Sequence, residues 1–158
     1  MKKAGRAAQL RVALPAARSR WQALATADYD LQVNGFVPLS CMLVARLKVR
    51  NNVLVAVEAR RTPWDEQLPW EPVEPQHWTL PFCAYTQLTV TQMFDRVERD
   101  LAEADLAVDA VEVQFEPVYG FVTRYDHRAG YRQGLLNPAV SECCVWFAYS
   151  HFRRVDEK

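Results

Sequence analysis

Five glycines, three histidines and four cysteines in 158 residues leave little material for the commonest chemical signatures. The glycines are scattered and build no phosphate-cradling loop, and Ser40, Ser141 and Ser150 lack the glycines of a nucleophile elbow. Cys41, Cys83, Cys143 and Cys144 contain no C-x-x-C pair and stand at no zinc-finger spacing from a histidine. Cys143 and Cys144 are neighbours, so in a strand they face opposite sides and cannot serve one metal site. No cofactor and no metal is expected. The cysteines read as free thiols packed like small hydrophobes, or as one disulfide from Cys41 to Cys143 or Cys144 if the protein is exported.

Charge of one sign is also missing. Nineteen basic residues cancel nineteen acidic ones, which removes the global field that holds a polyanion, so nucleic acid is not an expected partner. No window approaches the roughly 18 apolar residues of a membrane helix, and the chain reads as soluble, without a transmembrane segment. What charge asymmetry exists lies at the start, where Lys2, Lys3, Arg6, Arg11, Arg18 and Arg20 precede the first acidic residue, Asp28. This predicts a basic N-terminal arm over 1–14. Residues 10–17 loosely imitate an export signal, but Arg6 and Arg11 leave the apolar stretch short of the roughly 7 to 15 residues needed. The compartment is left open: a cytoplasmic chain is expected as written, and an exported one if this is a trimmed signal.

The remaining 15–158 fit a single domain, long enough to bury roughly 70% of its unfolded surface. Ala16, Ala17, Trp21, Leu24 and Ala25 share a helical face, which predicts a helix from Pro15 to Ala25 with the proline in its first turn. Tyr29, Leu31 and Val33 alternate with polar residues as a strand ended by Gly35. Cys41 to Arg50 and Val53 to Arg60 form a hairpin closed by Asn51-Asn52, with Val53, Val55, Val57 and Ala59 expected on one face.

From 62 to 87 the periodicity disappears. Prolines alternate with Trp64, Trp70, Trp78 and Phe82, an extended irregular segment too long to be a mere connection. It serves either as a lid on the core or as an exposed recognition surface. Thr89 and Gln92 then form a capping box, with Leu88 and Met93 as its staple. A helix follows to Ala104, apolar at Met93, Phe94, Val97 and Leu101, with Arg96 and Asp100 assigned to the solvent side. Val111 to Phe115 and Phe121 to Tyr125 flank a turn at Pro117–Gly120, and Cys143 to Phe152 makes a last strand apolar on both faces. The fold class is α+β, an antiparallel sheet with two helices on one face in the order α-β-β-β-α-β-β-β, which looks like two copies of one αβββ unit.

Two stretches carry a family resemblance: Leu88-Thr89-Val90-Thr91-Gln92-Met93-Phe94-Asp95-Arg96-Val97-Glu98, and Val111 to Arg124 with its Glu116-Pro117-Val118-Tyr119-Gly120 turn. They resemble an uncharacterised bacterial family, number six-one-seven-four in the domain-of-unknown-function series. Arg20-Trp21, Tyr29 and the strand pair Leu43 to Arg60 extend the similarity. The family's cysteine-phenylalanine-cysteine-proline stretch is absent here, and the proline after its hairpin tyrosine is Val122. The resemblance implies a small α+β protein and no known activity.

No catalytic residue is assigned. The reading favoured is a binding module that takes a protein or small ligand through Trp64, Trp70, His77 and Trp78. One alternative is a pocket or enzyme using Asp126 and His127, an aspartate able to orient a general base; strand neighbours face opposite ways, however. His151, in phase with Val145, Phe147 and Tyr149, is expected at the core edge, and a metal site from Asp126, His127 and His151 would need a particular strand register. A structural subunit of a larger assembly is the third class.

Overall fold

The computed structural model describes residues 2–37, 41–60, 65–79, 84–103, 110–128 and 144–155. Two helices, α1 (Lys2–Ala23) and α2 (Val90–Glu103), cover one face of a seven-stranded antiparallel sheet. The strands are β1 (Tyr29–Val37), β2 (Cys41–Arg50), β3 (Val53–Arg60), β4 (Glu71–Pro72), β5 (Ala110–Phe115), β6 (Val122–Arg128) and β7 (Cys144–Arg154). Their spatial order is β4-β3-β2-β1-β7-β6-β5.

The fold class matches the expectation, but the two αβββ halves are not copies. β1 stands at the centre while its counterpart β5 is an edge, and β1 runs antiparallel to β7 with both helices on one face. No rotation maps one half onto the other.

α1 starts at Lys2, so the expected arm is helical and Pro15 lies inside the helix instead of in its first turn. The reason is a stripe that the basic residues obscure: Ala7, Leu10, Leu14, Ala17 and Trp21 recur at three and four and are all buried. Pro15 removes one helix hydrogen bond, and the burial of its neighbours outweighs that loss. Arg18 ties α1 to α2 through Asp95 (2.7 Å) and Glu98 (2.8 Å). α2 begins where the capping residues predict, with Thr89 Oγ1 accepting from Gln92 N–H at 3.5 Å and Leu88 and Met93 both buried. Ala104 lies outside the described residues.

Asn51 and Asn52 close the β2–β3 hairpin at φ 50° and 60°, the left-handed pair that a tight turn demands. A bulge then changes which side chains are buried. Lys48 pairs with Ala56 and Val49 with Leu54, so Val55 is an extra residue; Leu54 and Val57 enter the core while Val53 and Val55 stay exposed. The same device acts in β6, where Thr123 is the extra residue and Val122 and Tyr125 are both buried. Gly35 does not end β1. It lies within the strand opposite Phe147, whose ring packs so closely that a Cβ would stand 2.8 Å from Cε1 and nearer still to Cδ1. In the β5–β6 turn, Glu116 accepts from the N–H groups of Val118 (2.8 Å) and Tyr119, and Gly120 sits at φ 85° against the Ala17 carbonyl.

The segment expected to be irregular contains β4, which pairs with β3, and 3-10 turns at Pro75–His77 and Tyr85–Leu88. A two-residue edge strand tolerates Pro72 because no further ladder bond is required of it. β1 lies between β2 and β7, so the Cα atoms of Cys41 and Cys144 are separated by two strand spacings, about 10 Å, beyond the reach of a disulfide. Cys83, Cys143 and the loop with Gly130, Gly134 and Pro138 lie outside the described residues. No helix among the described residues is long and apolar enough to cross a membrane.

Candidate functional site

The helix-covered face holds the core, and the opposite face carries the even-numbered residues of β1 and β2. On it, Asn34 of β1, Val44 of β2 and Arg60 of β3 stand side by side in register. Trp70, just before β4, folds back over this row. The Arg46 and Arg60 guanidinium carbons stand 4.1 Å and 4.2 Å from its ring centroid. Stacking of this kind holds a guanidinium by its face and leaves the in-plane N–H groups oriented for carboxylate or phosphate.

Three polar atoms here are buried with no hydrogen-bond partner among the described residues: Asn34 Oδ1, Arg60 Nε and Trp70 Nε1. Buried polar groups are nearly always satisfied, and each orphan costs about 1–3 kcal/mol. Two donors and one acceptor are thus concentrated in one row of the open face.

Beside the row lies a depression of about 310 Å³ lined by Asp30, Arg46, Lys48, Glu58, His151 and Arg153. Asp30 accepts from Arg50 (2.9 Å) and Arg153 (2.8 Å). Partial burial pushes its carboxyl up, but these two guanidiniums outweigh burial and hold it below the usual carboxylate range. Among the described residues that line the depression or flank it, Arg46, Lys48, Arg50, Arg60 and Arg153 outnumber the carboxylates Asp30 and Glu58, so the region is positive although the whole chain is neutral.

His151 belongs to this depression and not to the core edge. Asp30 pairs with Arg153 and Gln32 with Ser150, so His151 and Phe152 together oppose Leu31. His151 takes φ 53° and is exposed, while Phe152 packs with Trp21, Tyr29 and Phe121. The bulge breaks the alternation that placed His151 with Tyr149.

The tryptophans expected to act together are separated. Trp78 is half-buried against the core, its indole N–H donating to Val73 O at 2.8 Å, whereas Trp70 lies on the open face. His77 is exposed in its 3-10 turn, and Trp64 lies outside the described residues. Asp126 and His127 are also split. Asp126 pairs with Arg128 (3.3 Å) and Arg124 (3.9 Å), while His127 turns to the helix side, 3.9 Å from Asp100. Among the described residues no group of three His, Cys, Asp or Glu is close enough for a metal ion.

The sequence reading missed a polar seam beneath α2. Arg96 and Asp100 are half-buried, not solvated: Asp100 accepts from Tyr125 Oη and lies 3.5 Å from Arg96 Nε, and Arg96 stands over the Phe147 ring at 5.3 Å. Tyr149 Oη is buried nearby without a partner among the described residues. Their i,i+4 spacing was the available signal; which way the pair faced was not in it.

Comparison with family models, with curated proteins and with solved structures returns no match at a significant level.

Proposed function

We propose that this protein is a binding module whose recognition surface is the open face of the sheet around Trp70, and that it takes an acidic segment of a partner protein. The stacking of the Arg46 and Arg60 guanidiniums on Trp70 carries this reading. A guanidinium held by its face keeps its outer in-plane N–H groups for a carboxylate. The excess of cations around the depression selects for acidic side chains, and contacts held by a rigid sheet need little ordering on binding.

Open-face Asp126 and half-buried His127 on the helix side do not converge on a common reacting atom, so binding is favoured over catalysis. The family resemblance in α2 and the β5–β6 hairpin is part of the same proposal; it concerns the scaffold and adds no activity.

The test is an NMR titration of labelled protein with a capped hexapeptide of alternating glutamate and glycine, following the Trp70 indole N–H. That resonance should move, and the Arg46→Ala, Arg60→Ala double variant should bind at least tenfold more weakly while keeping its fold. An indole signal that stays still, or a double variant that binds like the native chain, would show that Trp70 is only a cover for Val44.

A further inference from the structure

Among the described residues the sheet ends at β5, and the strand itself carries little that would guard this edge. Its sequence, Ala-Val-Glu-Val-Gln-Phe, has no proline, glycine or lysine, the residues that commonly blunt an exposed edge. Its single charge, Glu112, pairs with Arg6 of α1 at 3.3 Å. Glu116 N–H donates across the hairpin to Phe121 O at 2.8 Å, which sets the alternation along β5. Even-numbered residues direct their backbone to β6, leaving the N–H and C=O groups of Val111, Val113 and Phe115 directed outward.

α1 lies alongside this edge and leaves a groove of about 480 Å³ between them. Leu10 and exposed Ala13 form the helix wall, and Val111, Val113 and Phe115, all only half-buried, form the strand wall. The geometry points to strand addition: we propose that an extended, acidic segment of a partner protein docks here as an eighth strand, between α1 and β5.

Charge identifies the occupant. The first 27 residues, including all of α1, carry six basic residues and no acidic one. Even with Arg18 tied to α2 and Arg6 to Glu112, Lys2, Lys3, Arg11 and Arg20 keep α1 positive, so the helix repels a basic strand and attracts an acidic one. A second copy of this chain is the wrong occupant, because pairing two β5 edges would bring two cationic α1 helices together. Six residues of strand offer about 20 Å of edge, room for a segment of five or six residues. Main-chain bonds to Val111, Val113 and Phe115 would hold it, and alternate apolar side chains would fill the groove.

A capped heptapeptide of alternating valine and glutamate tests this, with binding measured by fluorescence polarisation and amide exchange read residue by residue. Saturation should slow exchange at Val111, Val113 and Phe115 at least tenfold. Val113→Pro removes an outward N–H at an edge position that accepts proline, and should weaken binding at least tenfold. Ala13→Glu changes only an exposed helix position and should do the same, so the proposal stays testable if the proline variant does not fold. A valine and lysine peptide should bind at least tenfold more weakly than the glutamate one. Unchanged β5 exchange, or equal affinity in both variants, overturns the proposal. Binding that moves the Trp70 indole but not the β5 amides overturns it while leaving the Trp70 reading intact. A dimer in solution that Val113→Pro dissolves overturns it in favour of self-pairing.

Discussion

Removing one oxygen atom should make this protein more stable. Tyr149 is buried to 7% exposure, and its hydroxyl has no hydrogen-bond partner among the described residues. An unsatisfied buried hydroxyl costs about 1–3 kcal/mol relative to its state in water. Tyr149→Phe keeps the ring and its packing, removes that cost and leaves only a small void, for a net gain of about 1–2 kcal/mol. In a domain of this length each kcal/mol moves the melting temperature by about 2–4 °C, so the rise is about 2–8 °C. Tyr125 supplies the opposite sign under the same helix. Its hydroxyl donates to Asp100, so Tyr125→Phe loses a bond to a charged acceptor, worth about 1.5–3 kcal/mol, and should lower the melting temperature. Thermal melts and urea titrations of the two variants form the assay, with an unchanged urea m-value showing that the native state alone is affected. If Tyr149→Phe melts lower than the native chain, its hydroxyl makes a stabilising bond and the reasoning fails.

Three further outcomes follow from the packing and the ionisation of the core. Gly35→Ala drives a methyl into the Phe147 ring, a cost of about 1–3 kcal/mol against about 0.5–1 kcal/mol gained from a stiffer unfolded chain; adding Phe147→Leu should recover part of the loss, and strict additivity would exclude the contact. Gly120→Ala combines a left-handed backbone with a clash against the Ala17 carbonyl and should cost more than about 2 kcal/mol in a urea melt, well above an alanine change at exposed Val118. Burial pushes Tyr29 up to about 12, offset in part by its bonds to Val90 and Thr89, and burial pushes Tyr125 and Tyr149 up as well. Folded values above the unfolded one mean that this stability is whole below about pH 10 and is lost as pH rises through the folded values, by up to about 1.4 kcal/mol per pH unit per tyrosine. Melts at rising pH should show it, and a flat profile from pH 10 to 12 would contradict the burial.

Local signals in the chain proved sufficient for local structure. Asn51-Asn52, the Thr89 cap and the Glu116–Gly120 turn each depend on a few adjacent residues, and each forms where those residues stand. The start of α1 was hidden because lysines and arginines interleave with a stripe of alanines and leucines, so charge patterning masked a helical period. Bulges defeated the strand alternation at Val55, Thr123 and His151, because one inserted residue reverses every later side chain and nothing local marks the insertion. The Trp70 row was further out of reach. Asn34, Val44 and Arg60 come from three strands, and only their register places them together.

Among the described residues the main core cluster lies on the helix side of the sheet: Tyr29, Leu47, Val49, Phe94, Val97, Tyr125 and Phe147 are all fully buried there. Mutational tolerance should therefore divide by face. Replacing Arg46, Lys48, Glu58 or Arg60 disturbs none of those side chains, so the charge and shape of the open face can be rewritten residue by residue while the helices keep their seats. A partner preference carried there is free to drift, or to be engineered, at almost no cost in folding. Gly35 marks the boundary of that freedom, because a change in its backbone is felt at once by a ring on the other side.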